Sequence, residues 1–224
     1  LLITGAMIIN YSSLRRTFGV HDGMAQLQDT QRLILTLMTT TLQQAAYYSN
    51  PAVDTRAVAL PSGASAAWAG GTPPSAFAAG QGIIGIGNGA GVGAGSDGIA
   101  VRFQSAPGDG LMNCLGGINP AGAGVNVTWV NLYQINGQNE LTCSVNGATP
   151  VTLAANVRQL RIEYGVDLDG NGSNDTYLPA TVVTSAGRWG AVQSIRLGFQ
   201  LLDPVAATPL PTMLLQLVDL KNLQ

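Results

Sequence analysis

Charge is scarce in this chain of 224 residues. Asp, Glu, Lys and Arg together make up 10% of it, against roughly 25% in an ordinary soluble domain. Lysine occurs once, at Lys221, and histidine once, at His21. The ten basic residues are scattered and the formal net charge is −2, so no basic face is on offer to neutralise phosphates and no nucleic-acid partner is expected. A single histidine, far from the rest of the polar chemistry, rules out building a Ser/His/Asp triad or a Cys/His pair. Zinc normally takes several His or Cys ligands, and no spacing among the twelve acids singles out a catalytic pair. No enzymatic activity is expected.

Cysteine is nearly absent too. Cys114 and Cys143 are too far apart for a CxxC metal or redox motif. In an oxidising compartment they would pair and close a loop of about 30 residues, worth roughly 3 kcal/mol in lost chain entropy. The low charge and the Asn/Gly/Thr-rich loops favour export, and with it the disulfide Cys114–Cys143.

Proline is missing from Leu1 to about Tyr48, and Pro51 supplies a natural stop. A helix over that stretch is ~70 Å long. Its first fourteen residues, LLITGAMIINYSSL, carry no charge, yet the run is shorter than the ~20 apolar residues that cross a bilayer. No Met or basic region precedes it, which excludes an intact signal peptide. The chain is therefore expected to begin partway through a membrane-spanning helix; the alternative is an ordinary buried core helix. Beyond Arg15 the pattern changes: Val20, Met24, Leu27, Ile34, Met38, Leu42 and Ala45 recur at helical spacing on one face. Such a helix has two environments. Leu1, Leu2, Ile3, Met7, Ile8, Ile9 and Leu14 are candidates for contact with lipid or with helices of neighbouring subunits. The second half is expected to pack on a sheet.

Residues 52–98 are rich in Ala, Gly and Pro and read as loop. Gly80-Gln-Gly-Ile-Ile-Gly85 satisfies GxGxxG, but it follows loop and leads into more glycine, so it lacks the strand and helix N-terminus that hold a pyrophosphate. A flexible turn is expected there. After it the period becomes two. Strands are expected at Gly98–Gln104, Val125–Ile135, Glu140–Val145, Arg158–Val166, Tyr177–Thr184, Ala191–Leu201 and Leu214–Leu220, with hairpin turns at Asn136-Gly137 and Asn146-Gly147. One long helix followed by strands gives an α+β fold: an N-terminal α-helix (1–50) packed on an antiparallel β-sheet domain (51–224) with Gly-rich loops.

Asp167-Leu-Asp-Gly-Asn-Gly-Ser-Asn-Asp175 fits D-x-[DN]-x-[DN]-G, the first half of a calcium loop. Asp167, Asp169 and Asn171 would give side-chain oxygens, Ser173 its carbonyl, and Asp175 a direct or water-mediated contact. Position twelve is Leu178 rather than a bidentate Glu, and strands rather than helices flank the loop, so any Ca²⁺ affinity is expected to be weak, on the millimolar scale of extracellular modules. The alternative is a polar hairpin loop whose Asp and Asn side chains cap their own backbone.

Taken together, the chain resembles the PilW-type minor pilins of type IV pilus assembly. The stem runs from LLITGAMIINYSSL through "LQ…R…L" to "A-x-Y". GQGIIG and Ser96–Gln104 (SDGIAVRFQ) match the family's Gly-Gln and "SD-x-x-x-VR" segments. Cys114-Leu-Gly and Leu141-Thr-Cys143 match its paired cysteines, Tyr164-Gly-Val-Asp its "YGVD" segment, and Trp189…Val192-Gln-Ser-Ile-Arg196 its late "W-x-x-V-x-x-(I/V)-R". The resemblance implies a pilin-like fold and a subunit held by its helix in the bacterial inner membrane, then packed through that helix against other pilins in a periplasmic and extracellular filament. It also implies a role in priming assembly at or near the tip, where a surface ligand or receptor is a further partner. The peptidase site and acidic residue of the family's mature N-terminus have no counterpart here. A type II secretion pseudopilin and a calcium-dependent adhesin are the other readings.

Overall fold

The structure, a computed structural model, describes residues 2–63, 76–87, 95–203 and 206–222, with side chains from Gly23 onward. Helix α1 spans Leu2–Gln43, and a single turn, α2, spans Arg56–Ala59. Among the described residues nine strands follow: β1 (Ile83–Ile86), β2 (Gly98–Ser105), β3 (Val127–Ile135), β4 (Leu141–Val145), β5 (Val151–Ala154), β6 (Val157–Val166), β7 (Thr176–Pro179), β8 (Val192–Leu201) and β9 (Leu214–Asp219). A short helix, α3 (Ala180–Ser185), and a 3₁₀ turn (Trp189–Ala191) sit between β7 and β8.

The expected α+β plan, a long N-terminal helix packed on an antiparallel sheet in pilin fashion, is not what forms. The strands make two antiparallel sheets, a five-stranded one in the order β1-β2-β3-β4-β5 and a four-stranded one in the order β7-β6-β8-β9. The cause lies in the burial of the strands. β2 and β3 bury both faces: Ile99, Val101, Tyr133 and Ile135 point into the main core, while Ala100, Val130 and Leu132 join Phe77 and Ile84 in a second cluster. β6 and β8 alternate, with Leu160, Ile162, Tyr164, Ile195, Leu197 and Phe199 turned inward. At ~1.5–3 kcal/mol for each large side chain removed from water, the interior strand residues supply most of the apolar stabilisation. From α1 the buried contribution is Ile34, Met38 and Leu42, with Leu27 and Leu35 at the margin. A hydrogen bond from the Tyr133 hydroxyl to Thr41 Oγ1 (2.8 Å) roots this end of the helix on β3.

The helix ends earlier than expected. Ala46 adopts φ 59°, and the chain then runs beside β2, with Ala46 N–H donating to the Arg102 carbonyl and Gln104 N–H to that of Tyr47. No helix among the described residues is long and apolar enough to cross a membrane. Leu1 lies outside the described residues, as do the side chains of Leu2, Ile3, Met7, Ile8, Ile9 and Leu14.

Six of the seven expected strands appear within a few residues of their predicted bounds; the exception is Tyr177–Thr184. There β7 stops at Pro179, which has no N–H to give a ladder, and Ala180–Ser185 turns helical. Ala180 and Val183 are buried at i, i+3 spacing, so packing overrides the β-branched run TVVT. The GxGxxG segment is also not a loose turn: Ile83–Ile86 pair with Gly98–Val101 as β1. At the β4–β5 turn, Asn146 and Gly147 both have positive φ (51° and 77°) and Ala148 N–H donates to Val145 O at 3.0 Å, a type I′ turn as Asn-Gly predicts. At the β3–β4 turn the left-handed residue is instead Asn139 (φ 60°). Asn136 shapes that loop by accepting from the N–H groups of Gln138 and Glu140.

Candidate functional site

The polar loop 167–175 closes the β6–β7 hairpin. Asp167 follows the last residue of β6 and is buried, with both carboxylate oxygens turned into the loop. Oδ2 accepts from Gly172 N–H (2.8 Å). Oδ1 accepts from Gly170 N–H (2.7 Å) and more weakly from Asn171 N–H (3.3 Å). These donors stabilise the charged form, so the Asp167 carboxyl is held below the ordinary carboxylate value, the Gly172 bond contributing most and partial desolvation opposing it. Gly170 and Gly172 have φ of 79° and 83°, a backbone that L side chains rarely adopt, which accounts for glycine at both.

The other acids close on the same space. Asp169 accepts from the Asn171 N–H and amide group, and Asp175 Oδ2 accepts from Leu168 N–H at 2.7 Å. One oxygen each from Asp167, Asp169 and Asp175 lies within 4.8 Å of the others. The sequence motif therefore does bring three of its predicted ligands together. The Asn171 side-chain oxygen accepts from Ser173 N–H at 2.8 Å within the same loop. The oxygen-only donor set suits a hard cation such as Ca²⁺. Leu178 sits on β7 opposite Tyr164 and packs on the core, so it offers no oxygen, and water would have to complete the shell.

A latch holds the base of the loop that sequence reasoning missed. Asn174 Nδ2 donates to the buried Ser194 Oγ on β8 at 2.8 Å, and the Tyr177 hydroxyl shares the same Ser194 oxygen at 3.1 Å. The Arg196 guanidinium lies over the Tyr177 ring, 3.9 Å from its centroid, and pairs with Glu163 at 2.9 Å. Gly165 leaves room for the Asn174 amide; a Cβ there would collide with it and with Ser194. Ser194 lies on the face of β8 opposite Ile195 and Leu197 and is buried there, which the alternation in VQSIR does not reveal.

The resemblance-bearing segments turn out to be structural clamps. Ser96 and Asp97 bind the upper edge of β6: Asp97 N–H donates to Leu160 O, Leu160 N–H to Ser96 Oγ, and Ile162 N–H to Asp97 Oδ2. Arg102 is buried and spends its guanidinium on main-chain carbonyls of Leu60, Pro61, Ala78 and Gln81, with Phe77 stacked 4.6 Å away. Burial lowers its pKa to about 10, so it remains cationic at neutral pH. Cys114 and Cys143 form the expected disulfide, and Cys114 N–H donates to the Asn131 side chain.

The family model described as Type IV Pilus-assembly protein W matches residues 131–206, from the middle of β3 to just past β8, about a third of the chain. That span contains Cys143, the 167–175 loop, its latch and the Trp189–Arg196 segment, and it supports a PilW-type pilus-assembly protein. No curated protein and no solved structure matches the chain.

Proposed function

We propose, from the premise of a PilW-type pilus-assembly protein, that this chain is a minor pilin that primes filament assembly at or near the pilus tip. The family match over 131–206 carries the reading. The form of α1 is compatible with it. The helix is continuous over 42 residues, about 63 Å, and Ile34, Met38 and Leu42 near its end are buried in the core. In this reading the uncharged run at the start of the sequence, with Ile3, Met7, Ile8 and Ile9, engages neighbouring subunits in the filament and the inner membrane before assembly. A type II secretion pseudopilin is the competing member of the same superfamily. Replacing the chromosomal copy with Ile8→Asp tests the assignment. The variant should accumulate with an intact disulfide yet be missing from sheared surface filaments; normal recovery in filaments would refute the helix-mediated role. Loss of protein secretion with normal piliation would favour the pseudopilin.

The clustering of Asp167, Asp169 and Asp175 favours a second, compatible reading: a weak Ca²⁺ site in the β6–β7 loop of an adhesive domain. Asp167 would anchor the ion from its rigid position at the strand end, Asp169 and Asp175 would close on it, and the Asn174–Ser194 latch would hold the loop ready. Calorimetry on the full chain should show calcium heat that Asp169→Ala abolishes. Absence of heat and of any calcium-dependent rise in melting temperature would remove this reading and leave the loop as a self-capped hairpin.

A further inference from the structure

The fold treats the two edges of its four-stranded sheet differently. Along β6, the main chain facing away from β8 is taken up by β7 beside Tyr164 and Val166 and by Ser96 and Asp97 beside Leu160 and Ile162. Helix α1 packs against β9, but no main-chain hydrogen bond to the outer edge of β9 is found among the described residues. Leu220 N–H donates to Gln193 O, and the register runs without a shift from Ser194↔Asp219 to Phe199↔Leu214. Antiparallel pairs alternate between hydrogen-bonded and non-hydrogen-bonded, so Val218, Gln216 and Leu214 exchange bonds with β8. Leu215, Leu217 and Asp219 turn their N–H and C=O groups to the open edge. The Gln216 side-chain amide donates to Leu217 O at 2.8 Å, a bond that a pairing strand would replace with its own N–H.

The same residues carry exposed apolar side chains: Leu215 is 65% and Leu217 50% exposed. Natural edge strands are usually guarded by Lys, Pro, a bulge or a covering segment. The strand LLQLVD contains no Lys or Pro, and its pairing shows no bulge. An open ladder flanked by leucines specifies an extended strand as its occupant.

We propose that β9 pairs antiparallel with β9 of a second copy of this chain, about a two-fold axis through Gln216. In that register the strand is its own complement. Leu215 faces Leu217 of the partner subunit, and Leu217 faces Leu215 of the partner subunit, each as a hydrogen-bonded pair on the edge whose N–H and C=O groups are open. Four leucines then meet on one face of a continuous eight-stranded sheet. The strand's one charge, Asp219, falls opposite Met213 of the partner subunit, so no like charges oppose each other. The interface is isologous and closed. Being only six residues long, it is weak and reversible, and it gains from the high local concentration of subunits in an assembly. The pairing rests on the sheet edge alone and holds whether or not the chain works in a pilus.

Disulfide trapping in the purified full-length chain, held in mild detergent, tests the pairing. Gln216→Cys puts the two thiols on the axis in a non-hydrogen-bonded pair, with Cα atoms about 4.5 Å apart, within disulfide reach. Oxidised glutathione should convert it to a covalent dimer at least about tenfold faster than Val53→Cys, an exposed residue outside the sheet, and adding Leu217→Arg should remove that advantage. A melting curve checks that each variant folds. If Gln216→Cys disturbs β9, a mixture of Leu215→Cys and Leu217→Cys chains, one carrying a size tag, should cross-link to each other in preference to themselves. Dimerisation no faster than Val53→Cys, or unchanged by Leu217→Arg, would overturn the proposal.

Discussion

Gly85 on β1 lies directly against the hydroxyl of Tyr164 on β6: a Cβ at Gly85 would occupy the space of the Tyr164 oxygen. The contact bridges the two sheets, and Trp189 closes it from the side with its ring edge-on to Tyr164, centroids 4.8 Å apart. Tyr164 is fully buried, and burial together with the nearby Asp97 charge pushes its hydroxyl pKa well above the ordinary phenol value. Gly85→Ala should therefore destabilise the protein by about 1–3 kcal/mol through overpacking. Chemical denaturation reads this directly, and Tyr164→Phe in the same background should return part of the loss.

Arg102 ties Leu60 and Pro61 to Ala78 and Gln81 through their main-chain carbonyls. Arg102→Lys keeps the charge but cannot reach four carbonyls from one planar fork. The expected cost is about 3 kcal/mol for Arg102→Ala and nearly as much for Lys, since the buried carbonyls lose their donor in both. A lysine variant as stable as the parent would contradict this role.

The disulfide closes the loop from Cys114 to Cys143. Replacing both cysteines by Ser should lower unfolding free energy by roughly 3 kcal/mol, measured as a fall in denaturation midpoint. Dithiothreitol should have the same effect on the parent and none on the double variant.

Asp167 gives the 167–175 loop an acid-sensitive hold. Its folded-state pKa lies below the ordinary carboxylate value of 3.8, so its contribution to stability is fully present well above that value. The contribution declines as pH falls from about 3.8 through the lower folded pKa and is absent below both. The difference in melting temperature between the parent and Asp167→Asn should be largest near neutral pH and shrink over that acid window. A difference independent of pH would show that charge is not what Asp167 supplies.

Much of the β domain was legible because period-two patterning fixes which side of a strand is buried. Ile99/Val101 and Leu160/Ile162/Tyr164 could be placed inward from sequence alone. The division into two sheets was not legible. It depends on β2 and β3 being covered on both faces, the second by Phe77 and Ile84 from a segment that reads as loop. The glycines of GQGIIG misled in a related way: Gly82 is pressed against Ala46 and Gly85 against Tyr164, and such close approaches are long-range facts. The Asp167–Asp175 cluster was legible because Asx chemistry is local. Its anchor was not, because Asn174 and Ser194 meet only after β6 and β8 have paired.

The central claim is that this chain works in type IV pilus assembly, and counting surface pili by electron microscopy in a strain lacking it tests that claim most directly. Surface pili should be lost or sharply reduced in the deletion and restored by the full-length parent chain. Piliation at the parental level in the deletion strain would contradict the account.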